Sequence, residues 1–271
     1  MLSSEEKKQK IAATFNDVAA RYDSNRFFAL SAAKLVSFLA VGDTKRMLDL
    51  STGTGAVAIA AARKNGAMEI EAVDISRAML EEAKQKAKAL QVRNITFRQS
   101  DVENLGYEPS SFDIVTCGYG IFFYPDMTAA LKSFINTVKP GGQLVFSTFT
   151  AYAFTPHSET FLTLLKEYGV EAPELSRRRL HNEEEIRSLC SRAGTDEPEV
   201  ITHTLRYAIS TDEWWELLNS AGYKALLDQV PSEKRSAFKR RHLEEVKSAS
   251  VEGVIELNAD SLYTIINKGC L

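Results

Sequence analysis

Met47-Leu48-Asp49-Leu50-Ser51-Thr52-Gly53-Thr54-Gly55 is an apolar run that ends in a glycine turn and leads into the alanine-rich stretch Ala56 to Arg63. A backbone that leaves a strand, turns on glycines and enters a helix presents unpaired N–H groups and little side-chain bulk, so a nucleotide-like ligand can come close. The turn is read as a cofactor cradle, against the plainer reading that many α/β folds use such a turn merely to turn.

On the N-terminal side, residues 1 to 40 read as helices. Phe15, Val18 and Ala19 share one face, and Leu30, Ala33, Leu35 and Leu39 recur at helical spacing up to Gly42-Asp43. On the C-terminal side strands and helices alternate. The strands are Arg46 to Leu50, Glu69 to Val73, Ile95 to Gln99, Phe112 to Cys117 and Gln143 to Thr148. The helices are Ala56 to Lys64, Arg77 to Leu90 and Met127 to Val138, with Lys139-Pro140-Gly141-Gly142 as a stop after the last. This alternation predicts an α/β fold, a parallel sheet with helices on both faces. In the second helix Ser76 is the N-cap candidate, and Met79, Ala83, Ala87 and Leu90 lie on one face.

After Thr150 the pattern changes. Ala151 to His157 is aromatic and irregular, Glu159 to Tyr168 and His181 to Ala193 are helical, and Val200 to Ile209 alternates like one strand. Ser210 to Glu213 caps a helix carrying Trp214, Leu217, Leu218 and Ala221, a further helical stretch covers Glu233 to Ser250, and Ser261 to Asn267 is a last strand. With no repeat or low-complexity linker, this part is expected to pack on the sheet within a single domain of residues 1–271.

The 271 residues are 44% hydrophobic and 25% charged with a net charge of −3, which leaves no overall electrostatic footprint for nucleic acid. Arg177-Arg178-Arg179 and Lys239-Arg240-Arg241 stand beside acidic residues and read as solvated helix faces. Met1 to Lys10 is charged rather than signal-like, and nothing approaches a membrane span. Cys117, Cys190 and Cys270 lack metal-ligand spacing, so reduced thiols in a cytoplasmic protein without a metal are expected.

In an open parallel sheet, ligands bind beyond the carboxyl ends of the strands. Four ends can be read here: Ser51 to Gly55, then Asp74-Ile75, then Ser100-Asp101-Val102, then Cys117-Gly118-Tyr119-Gly120. A carboxylate at Asp74 can accept from a ribose diol. Ile75, Met79 and Val102 offer apolar surface to an adenine ring, and Asp101 can accept from its exocyclic amine. A dinucleotide fold shares the turn and the first acid; the turn here lacks the full G-x-G-x-x-G, and Asp101-Val102 adds a second acid-hydrophobe pair.

Six stretches carry a resemblance: Phe15-Asn-Asp-Val-Ala-Ala-Arg-Tyr22-Asp23, Leu48 to Gly55, Ala72 to Ile75, Asp101 to Leu105, Ser111 to Tyr119 and Val138 to Gly142. In this order and spacing, over residues 14 to 150, the sequence resembles the class I S-adenosylmethionine-dependent methyltransferases, and within them the small-molecule group that includes the ubiquinone/menaquinone-biosynthesis C-methyltransferases. The resemblance implies a Rossmann-like seven-stranded sheet whose last strand is antiparallel, with Val200 to Ile209 and Ser261 to Asn267 as strands six and seven and helical cap insertions. Residues 1–40 would be a helical lid, 41–150 the cofactor-binding core and 151–271 the last strands with the substrate cap. It implies that Ser51, Gly53, Thr54 and Gly55 lie under the methionine part of S-adenosyl-L-methionine. Asp49 joins the cofactor-binding set, Asp74 holds the ribose, Asp101 and Val102 meet the adenine, the Cys117-Gly118 backbone accepts from the ammonium, and Tyr22 closes from above. The sequence departs from its relatives at Ser51, where many have glycine. It also departs at Ile121 to Tyr124, where the quinone enzymes carry an Arg-Asn pair, which argues against a quinone acceptor.

The acceptor pocket is expected among Tyr119, Phe122, Phe123, Tyr124, Phe149, Tyr152, Phe154, Trp214 and Trp215, which suits a small, partly apolar metabolite. His157 is the candidate base, with packing as its plainer role. The function expected is methyl transfer to O, N or C of that metabolite. A cofactor-binding module or partner subunit without turnover is the alternative, and a macromolecular substrate a third; the oligomeric state is open.

Overall fold

The computed structural model describes residues 3–40, 42, 45–104, 106–172, 175–220 and 222–270. The expected stop at Asp43, the last residue of the Asp101 to Leu105 motif and the Ala221 helix position lie outside these.

The chain begins with α1 (Ser4–Tyr22) and α2 (Arg26–Ser37), then alternates through β1 (Arg46–Leu50), α3 (Ala56–Lys64), β2 (Glu69–Asp74), α4 (Arg77–Ala89), β3 (Ile95–Gln99), β4 (Phe112–Gly118), α5 (Met127–Thr137) and β5 (Val138–Phe149). There follow α6 (His157–Glu167), α7 (Glu183–Ala193), β6 (Glu199–His203), β7 (Arg206–Ser210), α8 (Thr211–Ser220), α9 (Lys224–Leu227), α10 (Arg235–Ser248), β8 (Val254–Asn258) and β9 (Ser261–Asn267). The main sheet has seven strands in the order β3-β2-β1-β4-β5-β9-β6. β1 to β5 pair in parallel, and the last strand, β9, runs antiparallel to both β5 and β6. The expected seven-stranded arrangement is therefore the observed one.

Both faces are covered, so successive residues of one strand serve two cores. Met47, Ala72, Ile114 and Val145 pack with α2 and α3, while Leu48, Leu50, Val115, Leu144 and Phe146 pack with the cap helices. Burying each of the larger side chains among these is worth ~1.5–3 kcal/mol.

Four local expectations are corrected. Residues 200 to 209 are not one strand: the chain breaks at Thr204-Leu205, where Asp260 accepts from the Leu205 N–H at 2.9 Å, and β7 leaves the main sheet to pair with β8. Lys139 to Gly142 does not separate helix from strand but bulges out of β5, whose partner register jumps from Phe112↔Val138 to Ile114↔Gln143. Only glycine fits at 142, where a Cβ would lie 2.7 Å from the Asp113 carbonyl oxygen. On α2 the buried face is Phe27, Ser31, Ala32, Leu35 and Val36, with Leu30 exposed; on α4 Leu80 is buried and Leu90 exposed.

The caps follow the sequence. Ser76 Oγ accepts from Met79 N at 3.2 Å, and Ser210 and Glu213 form a reciprocal capping pair ahead of Trp214. Among the described residues no helix is long and apolar enough to cross a membrane.

Candidate cofactor cleft and aromatic cavity

The turn after β1 is held from two sides by acids. Beneath it, Asp49 accepts from the Thr52 and Thr116 hydroxyls, each at 2.6 Å. Beside it, Asp74 accepts from Gly53 N–H and Ser76 N–H, both at 2.8 Å. Thr52 N–H donates to the Val73 carbonyl at 2.9 Å, so the turn is also sewn to β2. Burial raises both carboxyl pKa values. Asp49 is pushed up to about 6, with the two hydroxyls and the Ala58 N–H opposing burial and the Asp74 charge adding to it. For Asp74 three backbone N–H groups, of Ser76, Gly53 and Ile75, oppose the rise.

Over the turn lies a cleft of about 750 Å3, mouth included. Its floor is Ser51, Gly53 and Gly118, its acids are Asp74 and Asp101, and its apolar flank is Ile75, Met79 and Val102. Gly53, at φ 55°, has nothing within 4 Å of where a Cβ would stand, which leaves the backbone open to a ligand. A smaller recess shares Tyr22, Ser51, Gly53 and Gly118 with this cleft and reaches down to Asp49 and Thr54. A carboxylate at a strand end, a bare backbone, an apolar slot and a buried acid fit the ribose, methionine, adenine and cationic parts of S-adenosylmethionine in turn.

The roof is α1, which contributes Lys8, Ile11, Phe15 and Tyr22. Lys8 Nζ donates to Asp101 Oδ2 at 2.7 Å and pairs with Glu103. Asn16 Oδ1 accepts from Ser76 Oγ at 2.7 Å and Ala78 N–H at 3.1 Å, and Val18 and Ala19 pack on Met79.

Phe15, Tyr22, Tyr119 and Phe123 form a wall common to the cleft and a second cavity of about 940 Å3, mouth included. Phe27, Phe28, Phe122, Phe149 and Phe154 line this second space. The Tyr119 ring stacks on Phe149 at 4.2 Å between centres. Its hydroxyl lies 2.5 Å from Ser31 Oγ and 2.7 Å from Ser261 Oγ, tying β4 to α2 and β9. Burial raises the Tyr22 and Tyr119 phenol pKa values, so both stay neutral.

Of the expected site residues, Tyr22, Ser51, Gly53, Asp74, Ile75, Met79, Asp101, Val102 and Gly118 line the cleft, while Asp49 and Thr54 line the recess. The Thr54 hydroxyl donates to Asp23 at 2.7 Å. Tyr119, Phe122, Phe123, Phe149 and Phe154 line the aromatic cavity. Tyr124 lines the cleft instead, its hydroxyl 2.6 Å from Ser51 Oγ.

Other expected residues point elsewhere. Gly55 faces α4, where a Cβ would stand 3.1 Å from Ala83 Cβ, so its bareness serves helix packing. Cys117, expected to act through its backbone, lines neither the cleft nor the recess, where Gly118 stands instead; its side chain is fully buried under Gly120, and burial raises its thiol pKa. Tyr152 is 74% exposed and lines neither cavity. Trp214 is fully buried in the cap and donates to His242 Nε2 at 2.9 Å; Trp215 packs on Phe238. His157 is buried with its ring 5.7 Å from Trp214, its pKa lowered by burial, and it borders neither cavity. It packs the cap.

The sequence reading missed the roof residues Lys8 and Ile11, the α2 phenylalanines Phe27 and Phe28, and the cap residues Leu217, Tyr223 and Leu226. The FF pair at the start of α2 was a usable signal, two large adjacent aromatics in the lid segment, and both line the aromatic cavity. Arg177, read as part of a solvated face, is buried at 8% exposure against the aromatic cavity.

The ubiE/COQ5 methyltransferase family matches residues 3–171, from α1 to just past α6. Over 143 residues the chain is 32% identical to aklanonic acid methyltransferase DauC of Streptomyces sp. (strain C5), covering 52% of this chain and 65% of that protein. Over 151 residues it is 34% identical to the demethylmenaquinone methyltransferase of Deinococcus radiodurans, covering 54% of this chain and 62% of that protein. The match thus spans less than two thirds of the length of these relatives. Among solved structures, phosphoethanolamine N-methyltransferase 2 of Haemonchus contortus, in complex with phosphomonomethylethanolamine and S-adenosylhomocysteine, superposes with a TM-score of 0.60 at 16% identity. That alignment covers 99% of this chain and 61% of the other, and at this identity the likeness is one of fold.

Proposed function

The chain belongs to the ubiE/COQ5 methyltransferase family, and from that premise we propose that it transfers the methyl group of S-adenosylmethionine to O, N or C of a small, partly apolar acceptor held in the aromatic cavity. The observation that carries the reading is the common wall: an acid-edged cleft suited to the cofactor shares Tyr22 and Tyr119 with a cavity lined by phenylalanines.

Residues 1–40 act as a lid, 41–150 as the cofactor-binding core and 151–271 as the last strands with the acceptor cap. Asp74 holds the ribose hydroxyls through the lone pairs its backbone donors leave open. Ile75, Met79 and Val102 flank the adenine, Asp101 accepts from its amine, and the Gly118 carbonyl with Asp49 below faces the ammonium. Tyr22 closes over the top.

When bound, S-adenosylmethionine supplies an electrophilic methyl on a sulfonium. The protein's own part is to orient the acceptor and to keep water out. Phe15, Tyr22, Tyr119 and Phe123 form the common wall with rings that carry no charge, and where the nucleophile is an anion a dry site favours a reaction in which charge is lost. No His, Asp or Glu is among the described residues lining the aromatic cavity, so the acceptor's nucleophile enters already competent. The same reading makes the acceptor a small molecule rather than a nucleic acid, in keeping with the net charge of −3. It places the reaction in the cytoplasm, in keeping with free Cys117, Cys190 and Cys270.

Calorimetric titration with S-adenosylmethionine and, separately, NADH is the direct test. Binding of the first alone is expected, followed by S-adenosylhomocysteine release when acceptors are screened; binding of NADH alone refutes the assignment. Asp74→Ala should weaken S-adenosylmethionine binding at least tenfold, about 1.4 kcal/mol, and unchanged affinity removes Asp74 from the site.

A further inference from the structure

Arg177 sits in a short 3-10 turn, Ser176–Arg179, that closes one side of the aromatic cavity. Its Nη2 donates to the Tyr223 hydroxyl at 3.1 Å, and its guanidinium carbon stands 5.5 Å from the centre of the Phe154 ring. Among the described residues, Nε and Nη1 are buried without a hydrogen-bond partner. Arg179, two residues on, is fully engaged by contrast: it donates to the carbonyls of Phe122 at 3.0 Å, Tyr124 at 2.8 Å and Pro125 at 3.1 Å. The turn thus anchors itself on the loop after β4 with one arginine and sets the other, largely buried, in the wall of the cavity.

Among the described residues lining that cavity, Arg177 is the only charged one. A guanidinium cannot shed its proton to escape burial, as a lysine or histidine can. Left uncompensated in an apolar setting, it carries a desolvation cost that a well-placed counter-ion offsets. Among the described residues the wall provides a ring face and one phenol hydroxyl, and no carboxylate.

We propose that Arg177 is the recognition residue for a carboxylate on the acceptor, so that the cavity takes a ring-bearing, otherwise apolar acid. The proposal rests on reading this cavity as the acceptor site. Chemistry favours a carboxylate over a phenolate, because it is ionised in neutral water without help from the protein. The phenylalanines take the ring system, and the unpartnered N–H groups of Arg177 give the carboxylate charge-assisted hydrogen bonds in a low dielectric, where they are strongest. The two chambers would then divide by charge, with acids around the cationic cofactor and the one cation around the anionic acceptor.

The test uses the full chain and a matched pair of probes, 2-naphthoate and the neutral 2-naphthylmethanol, titrated calorimetrically at pH 7.5 with and without saturating S-adenosylhomocysteine. Wild-type protein should bind the naphthoate at least tenfold more tightly than the alcohol. R177Q should lose most of that preference while retaining the alcohol and S-adenosylhomocysteine, and R177K should keep part of it. Equal binding of the two probes by the wild type, or a preference that survives in R177Q, overturns the proposal. The wild-type comparison stands even where R177Q fails to fold. Because the probes are also measured without cofactor, failure of S-adenosylhomocysteine to bind counts against the cofactor reading alone.

Discussion

Asp49 shows how one residue can set a pH dependence. It is buried under the turn among hydroxyls, and its carboxyl is pushed up to about 6. A bound cation would favour the ionised form, so in the proposed complex binding releases a proton below that pH. S-adenosylmethionine affinity should therefore rise by about tenfold between pH 5 and 7, and calorimetry in two buffers of different ionisation heat should record the proton release. Asp49→Asn should flatten the profile; a wild-type affinity constant across this range contradicts the role. At this scale the cleft was legible in the sequence, because a parallel sheet must bring its strand ends together and Gly53, Asp74, Asp101 and Gly118 sit at four of them. The cap was not. Counting aromatics after β5 gathered Phe149 and Phe154 together with Tyr152 and Trp214, since residue type says nothing of which way a side chain faces. A basic triplet likewise reads as surface, whereas Arg177 and Arg179 spend their charge inside.

Among the elements, α1 is the most exposed to test. It lies over α4 and is fixed by a few polar links, of which the Lys8 pair with Asp101 and Glu103 is the one nearest the expected adenine position. A partly exposed pair of this kind contributes up to ~1 kcal/mol. Lys8→Ala should leave the core intact and speed S-adenosylhomocysteine dissociation by a few-fold, read by stopped-flow fluorescence. An unchanged off-rate means that the roof does not gate the cleft. The α1 sequence announced the helix through Phe15, Val18 and Ala19, but its role as roof depends on contacts with Ser76 and Met79 some sixty residues away. The break between β6 and β7 is of the same kind: the alternation of residues 200 to 209 is uninterrupted, and the bend is imposed by Asp260 from the far end of the chain.

For the whole molecule, two buried groups pull stability in opposite directions with pH. His242 is neutral, accepts from Trp214, and has its pKa pushed down to about 4, chiefly by burial and then by His157. Its contribution is fully present above the unfolded value of about 6.5 and is lost as pH falls toward 4, by ~3 kcal/mol. For Asp49 the folded pKa lies above the unfolded one, so ionisation is penalised: the cost is absent below about pH 4 and complete above 6, again ~3 kcal/mol. Between pH 4 and 6 the two slopes oppose each other. Urea denaturation of Asp49→Asn should show a midpoint that climbs more steeply with pH than the wild type's over that range; equal slopes would show that Asp49 ionises as it does in water.

The wall of Phe15, Tyr22, Tyr119 and Phe123 has a kinetic meaning as well. Because α1 supplies Phe15 and Tyr22 to both chambers, a movement of it that freed one ligand would loosen the other. If the Lys8→Ala test shows that this roof gates the cleft, turnover in the proposed enzyme would be paced by how often one helix lifts, with the spent cofactor and the finished product sharing the same openings.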